Sequence, residues 1–190
     1  MKLLPQIDLP HRLDAQDVVE ALKILRERQS NVWYCNQTGG EDLRELPRFL
    51  GAGAAVHVGG HVLHMTEVQR LLDLGAKRVV VGKQALGTPQ WLHELVYLFP
   101  HAIGLRLRVM AGVVENMPVG GWDVLDKLVA AVEAVYVSMQ GHVDASLLAR
   151  LRKHAKTLYV ESPGHHAILE ENGVDAAIVP WRNLPDGICL

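Results

Sequence analysis

Short runs rich in β-branched residues alternate with segments of helical period along the whole chain. This alternation constrains the fold more than any single residue does. The strand-like runs fall at 3–9 (LLPQIDL), 32–37 (VWYCNQ), 54–59 (AAVHVG), 78–82 (RVVVG), 102–110 (AIGLRLRVM), 134–139 (AVYVSM), 157–162 (TLYVES) and 176–180 (AAIVP). Helical segments occupy 14–29, 41–50, 66–74, the stretch opening at Thr88-Pro89, 122–132, 144–155 and 164–172. Asp14 and Asp144 are placed to cap the first and sixth of these, and Thr66 with Gln69 reads as a capping box for the third. Residues 113–121 read as a loop rich in turn formers.

Strands that alternate with helices pair in parallel, because each helix returns the chain to the same end of the sheet. Eight such units predict an α/β protein of the closed (β/α)8 TIM-barrel type, with a doubly wound open sheet as the alternative. The 190 residues are expected to form one barrel domain over 1–190, small for a fold that typically takes about 200 residues or more. The last strand is followed only by WRNLPDGICL, so the eighth helix is expected to be missing or vestigial. A second copy, or the C-terminal segment with Ile188 and Leu190, is then expected to cover the apolar surface left behind, which predicts a homodimer. GAKRVVVG (75–82) and GVDAAIVP (173–180) echo one another in units four and eight. Either αβ grammar recurs there or a half-barrel is duplicated.

At 49% hydrophobic and 21% charged residues the chain can bury a real core, and a net charge of −2 gives no footprint for nucleic acid. The longest apolar runs are strand-sized, far short of the roughly 20 residues of a membrane span. No basic region followed by an apolar core opens the chain, and Cys35 and Cys189 make no disulfide framework; a cytoplasmic protein is expected.

In such a barrel, function gathers where the strands run out into the βα loops. Asp8 ends the first strand among Leu3, Leu4, Ile7 and Leu9. A carboxylate there either caps backbone or serves as a general base. VHVGGHV (56–62) and VVVGKQAL (79–86) end strands three and four in glycines. Together Gly59, Gly60 and Gly82, with Lys83 and the following helix N-termini, form a candidate phosphate cradle. Arg106 and Arg108 share one face of strand five, and a buried arginine needs an anion: Asp8, Glu161 or a ligand. The ten histidines show no zinc spacing, so neither metal nor cofactor is expected; His57 is expected to face a neighbouring helix, and Cys35 to be a small buried hydrophobe. Trp91, Trp122 and Trp181 read as packing.

PQIDL, VHVGGHV and LLDLGAKRVVVGKQAL, taken together, resemble the histidine-biosynthesis barrels, the phosphoribosylformimino-aminoimidazole carboxamide ribotide isomerase and its cyclase relative. The likeness is strongest from Ala54 to Leu86. It implies a pair of similar half-barrels, Asp8 as catalytic base, and one substrate phosphate held by Gly59, Gly60 and Gly82. It also marks departures. The family's second catalytic Asp on strand five is replaced by Arg106, and strand six offers only Ser138. Of the second phosphate site, Gly164 and Arg182 are the candidate remnants, and Pro180 stands where a close-approach glycine would. Three functions follow as expectations. One is a divergent enzyme on a phosphorylated sugar-like metabolite, with Asp8 as base and Arg106 as electrostatic stabiliser. Another is the parent isomerase with its acid moved to Glu161 or Ser138, and the last a non-catalytic barrel binding a phosphate ligand or partner.

Overall fold

The run Val79-Val80-Val81 is buried on both faces, the mark of a strand with helices outside and a filled barrel inside. The computed structural model describes residues 2–9, 15–37, 45–161 and 166–184. In chain order they form β1 (Lys2–Leu9), α1 (Ala15–Glu27), β2 (Val32–Gln37), α2 (Leu46–Leu50), β3 (Ala55–Gly60), α3 (Met65–Asp73), β4 (Arg78–Val81), α4 (Lys83–Gly87), α5 (Pro89–Leu98), β5 (Ile103–Met110) and β6 (Val113–Val114). There follow α6 (Gly121–Ala131), β7 (Ala134–Gln140), α7 (Ala145–Arg152), β8 (Leu158–Glu161), α8 (His166–Glu171), β9 (Ala176–Pro180) and a single 3-10 turn, Trp181–Asn183.

The strands lie in the order β4-β3-β2-β1-β9-β8-β7-β5, and β4 pairs with β5 to close the ring. All pairings among these eight are parallel, so the closed (β/α)8 barrel read from the alternation is the fold. Two elements were not expected. β6 folds back antiparallel on the end of β5, within the stretch read as loop. α4 is a single turn wedged between β4 and α5. Asp14, Gly164, Ile188, Cys189 and Leu190 lie outside the described residues.

The core has two parts, separated by the sheet. Outside it, the apolar faces of the helices pack on outward residues such as Ile7, Val56, Val58, Val79 and Leu105. Inside, Leu4, Tyr34, Val80, Tyr136, Tyr159 and Ile178 fill the ring. Three tyrosines share this space, and two of them, Tyr34 and Tyr136, fit because a glycine stands opposite each. A Cβ on Gly59 would lie 2.6 Å from the Tyr34 hydroxyl, and one on Gly104 2.7 Å from Tyr136 Cε2.

Two local expectations are corrected. α3 is capped from His64, and Glu67 closes its first turn, taking hydrogen bonds from the backbone N–H of Leu63 (2.7 Å) and His64 (2.9 Å). A carboxylate at this position outcompetes the more distant Gln69, whose amide donates to Asp73 instead. His57 faces the barrel interior and no helix, because Val56 and Val58 take the outward face of β3.

Candidate active site at the barrel mouth

Alternation along β1 places Leu4, Gln6 and Asp8 on one face, and Leu4 is part of the interior cluster. Asp8 therefore rises from the interior at the carboxyl end of β1, where it is exposed. Register sets Asp8 beside Asn36 on β2. Asn36 Nδ2 donates to Asp8 Oδ1 at 2.9 Å, and Gln6 Nε2 donates to the same oxygen at 2.9 Å. No described residue bonds Asp8 Oδ2. Arg106 Nη1 donates to Asn36 Oδ1 at 2.8 Å, and Arg106 Nη2 lies 3.5 Å from Glu161 Oε2 on β8.

One chain of polar contacts thus runs Asp8–Asn36–Arg106–Glu161 across the mouth, linking β1, β2, β5 and β8. The chemistry of the partners fixes how Asn36 lies. An ionised carboxylate only accepts and a guanidinium only donates, so the amide nitrogen faces Asp8 and its oxygen faces Arg106. A neutral amide joins the two charges while keeping them apart. Arg106 and Glu161 keep 22% and 33% of their side chains accessible, and the guanidinium retains donors beyond those it uses. An anionic atom entering the mouth meets a fixed cation.

Beneath this layer lies Tyr34, whose buried hydroxyl has no hydrogen-bond partner among the described residues. Burial pushes its pKa up to about 12, against the pull of Arg106, so it stays protonated. Cys35, on the outward face of β2, is fully buried, and burial followed by the nearby Asp8 charge raises its thiol well above the ordinary range. It packs as a hydrophobe and is no nucleophile.

The glycine rim adjoins the same mouth. Gly59 pairs with Val80, and continuing that parallel register sets Gly60 opposite Val81, one residue before Gly82. Gly60 has φ +114°, and a Cβ there would sit 2.1 Å from the Gln37 carbonyl oxygen, a close approach that requires glycine. Gly82 abuts Arg106: a Cβ would stand 3.6 Å from its carbonyl oxygen. Lys83 follows, exposed. Gly59 lies one level lower, and its missing side chain is accounted for by Tyr34. Neither following helix adds an anion site: the first turn of α3 is occupied by Glu67, and α4 has five residues. Ser138 lies at mouth level, in register with Glu161 on one side and Arg108 on the other. Arg108 turns to Glu115 beside β6, 3.3 Å away. Arg182 is drawn to Asp17 of α1 and stacks on Trp181, 4.4 Å from the ring centroid.

The barrel floor carries a second polar cluster. Arg78 Nη1 donates to the Tyr136 hydroxyl at 3.3 Å, and Tyr136 lies 2.7 Å from His57 Nδ1. Arginine can only donate, so Arg78 leaves the hydroxyl proton of Tyr136 available to His57 Nδ1, and the direction of that bond follows the imidazole tautomer. His57 is held neutral in this buried setting. Burial, and after it the charges of Arg78 and Lys77, lowers its pKa to about 3. Among the described residues no group of three or more His, Cys, Asp and Glu is placed to hold a metal ion, and no helix is long and apolar enough to cross a membrane.

The residues that sequence reasoning missed are Asn36 and Gln6. The signal was present: Gln6 precedes Asp8 by two on a strand, and Asn36 stands near the end of VWYCNQ. Nothing in one strand alone shows which polar neighbour it will meet.

The carboxylate, the bridged arginine and the glycine rim all stand at the carboxyl end of a closed (β/α)8 barrel, the end at which barrels of this class carry their active sites. The family model described as "Histidine biosynthesis protein" matches residues 43–149, more than half of the chain, and the chain belongs to that family. Curated relatives carry the name 1-(5-phosphoribosyl)-5-((5-phosphoribosylamino)methylideneamino)imidazole-4-carboxamide isomerase. That of Methylobacillus flagellatus is 31% identical over 83 residues, covering 44% of this chain and 32% of the relative. That of Syntrophomonas wolfei is 30% identical over 156 residues, covering 68% and 62%, and that of Xylella fastidiosa 35% over 100 residues, covering 50% and 36%. The chain spans less than two thirds of the length of these relatives.

Proposed function

We propose that this barrel is an acid–base enzyme acting on a phosphorylated, sugar-like metabolite. The observation that carries the reading is the bonded chain Asp8–Asn36–Arg106–Glu161, which presents a carboxylate oxygen and a fixed cation to one space. The phosphate sits on the rim of Gly60 and Gly82, beside Arg106 and Lys83. Asp8 Oδ2 removes a proton from the carbon next to an oxygen, while Gln6 and Asn36 hold Oδ1 and fix the carboxylate. Negative charge that develops on the substrate oxygen is met by Arg106, which cannot give up its own proton and so acts by electrostatics. The proton on Asp8 then returns to the neighbouring carbon in an isomerisation, or to a departing group in a lyase.

Asp8→Asn keeps the fold and the phosphate contacts while removing the base, so substrate binding is expected to persist and turnover to fall by about 10²–10⁴-fold. Full turnover in that variant overturns the assignment of the base. A phosphate-dependent rise in melting temperature, abolished by Gly82→Val, tests the cradle. The reaction of the named relatives is the second reading. It is supported by their sequence similarity and by Glu161 and Ser138 in adjacent register at the mouth, where either supplies the acid. Rescue of a histidine auxotroph lacking the isomerase selects this second reading, and failure to rescue leaves the first.

A further inference from the structure

The floor cluster, at the amino end of the strands, holds a charge that no described residue balances. Arg78 opens β4 in register with His57, so both point into the ring. The arginine lies over Gly104, where a Cβ would meet its Cδ at 3.2 Å, and Nη1 donates to the Tyr136 hydroxyl. Tyr159 is its other close neighbour. Burial raises the pKa of both phenols, so their hydroxyls keep their protons and bring the guanidinium no negative charge. The Nε–H of Arg78 is buried without a partner.

Carboxylates are present at this end of the barrel, but they are taken. Glu133 pairs with His101 at 3.1 Å and with Lys156 at 3.4 Å. Asp175 pairs with Arg152 at 2.8 Å and accepts the N–H of Leu158 at 2.8 Å. The turns that meet here, 28–31, 51–54, 74–77, 99–102, 132–133, 153–157 and 172–175, all lie within the described residues. Among the described residues no carboxylate stands within ion-pair distance of Arg78. Buried charges are ordinarily paired, since a lone one loses its water with nothing in return. Arg78 remains partly exposed, and at the start of β4 that exposure is to the amino end of the barrel.

We infer that Arg78 binds a small carboxylate at the amino end of the barrel, a site separate from the mouth. The guanidinium presents Nε–H and a neighbouring Nη N–H in one plane, a fork that fits the two oxygens of a carboxylate. One negative charge balances the one buried positive charge. A phosphate dianion brings a second charge among neutral phenols and a neutral imidazole, where nothing meets it. The exposed Lys77 beside Arg78 draws anions to this face from solvent. The preference is the reverse of the one proposed for the glycine rim, and it stands or falls independently of that rim.

Acetate is the probe, replacing chloride at constant ionic strength and pH 7. Proton–nitrogen NMR follows the arginine Nε–H signals, each assigned through its bonds to its own backbone. Acetate is expected to move the Arg78 signal saturably, and at least tenfold more tightly than chloride or inorganic phosphate does. Arg78→Lys, which keeps the charge and loses the fork, is expected to weaken acetate binding tenfold or more by calorimetry. Gly82→Val is expected to leave acetate binding unchanged. An Arg78 signal that acetate leaves in place overturns the site, and this reading needs no variant to fold. Acetate binding that is undiminished in Arg78→Lys, or lost in Gly82→Val, overturns it too, because the ligand then sits elsewhere. Phosphate or chloride bound at Arg78 as tightly as acetate overturns the choice of a carboxylate.

Discussion

At Asn36 a single amide decides how two opposite charges coexist. Oriented between Asp8 and Arg106, it serves both at under 3 Å and lets neither neutralise the other. An Asp in its place would pair directly with Arg106, consume the cation and repel Asp8. Asn36→Asp is therefore expected to weaken inorganic phosphate binding tenfold or more. Asn36→Leu, which keeps the charge of Arg106 unpaired by a new carboxylate, is expected to weaken it only a few-fold. Calorimetric titration of both variants checks this, and equal losses would mean that Asn36 acts by shape and not by managing charge. The glycines divide in the same manner. Gly60 answers a backbone demand, with its positive φ and the Gln37 carbonyl against it, whereas Gly59 answers a packing demand from Tyr34.

At the level of elements, the interior of the ring is set by pairs of one glycine and one tyrosine drawn from different strands. Gly104 on β5 admits the ring of Tyr136 on β7, which in turn stacks on Tyr34 at 5.3 Å and packs against Tyr159 at 5.0 Å. Gly104→Ala puts a methyl 2.7 Å from that buried ring, with Arg78 Cδ at 3.2 Å and the Ala134 carbonyl oxygen at 3.3 Å, so the ring must shift. The expected cost is about 1–3 kcal/mol of stability, read from urea unfolding; a loss within 0.5 kcal/mol would show that the tyrosine stack is loose (about the range of a neutral substitution). This layer also explains what was legible in the sequence and what was not. The order of elements was plain, because strand and helix periods differ. Which face of a strand looks inward was not. In a parallel barrel both faces are buried, so Val56, His57 and Val58 read alike and His57 is assigned to the wrong side. Asp8, Arg106, Glu161, Gly60 and Gly82 stand out because charges and glycines are unusual at the ends of apolar strands. Their connection through Asn36 depends on contacts 28 and 70 residues apart, which only the register of the closed ring supplies. The echo between units four and eight has a local basis as well. Ala76 and Val174 each donate to the helix carbonyl five residues back, at 3.0 Å, and Ser30 does the same at 3.1 Å after Gln29 takes a positive φ. A cap found in the first unit too is αβ grammar, and it does not single out two halves.

The whole barrel couples its polar floor to pH through His57. The ring lies 79 residues from Tyr136 in the chain, so their bond forms only when the barrel closes, and burial holds the folded imidazole neutral down to about pH 3. The unfolded chain protonates near the ordinary value of 6.5. Between these two values the unfolded state binds the extra proton, so acid favours unfolding. Stability tied to this residue is complete above pH 6.5, falls as the pH drops through the window, and levels off below about 3. The slope within the window is about 1.4 kcal/mol per pH unit, which gives a loss of about 2 kcal/mol from pH 7 to pH 5. Carboxylates elsewhere add their own acid dependence, so the contribution is isolated by difference. His57→Gln retains an acceptor for the Tyr136 hydroxyl and cannot titrate. The unfolding free energy of the unaltered protein minus that of the variant is expected to fall by about 2 kcal/mol between pH 7 and pH 5. A difference that stays flat across that range would place a charged imidazole in the folded barrel, and the proton on Tyr136 would then have to point away from His57. Because the floor and the mouth share the tyrosine layer between them, the same pair of proteins also reports coupling. Phosphate affinity at pH 7 is expected to be equal in the two, since neutral His57 contributes shape and one hydrogen bond to the ring and no charge to the site above it.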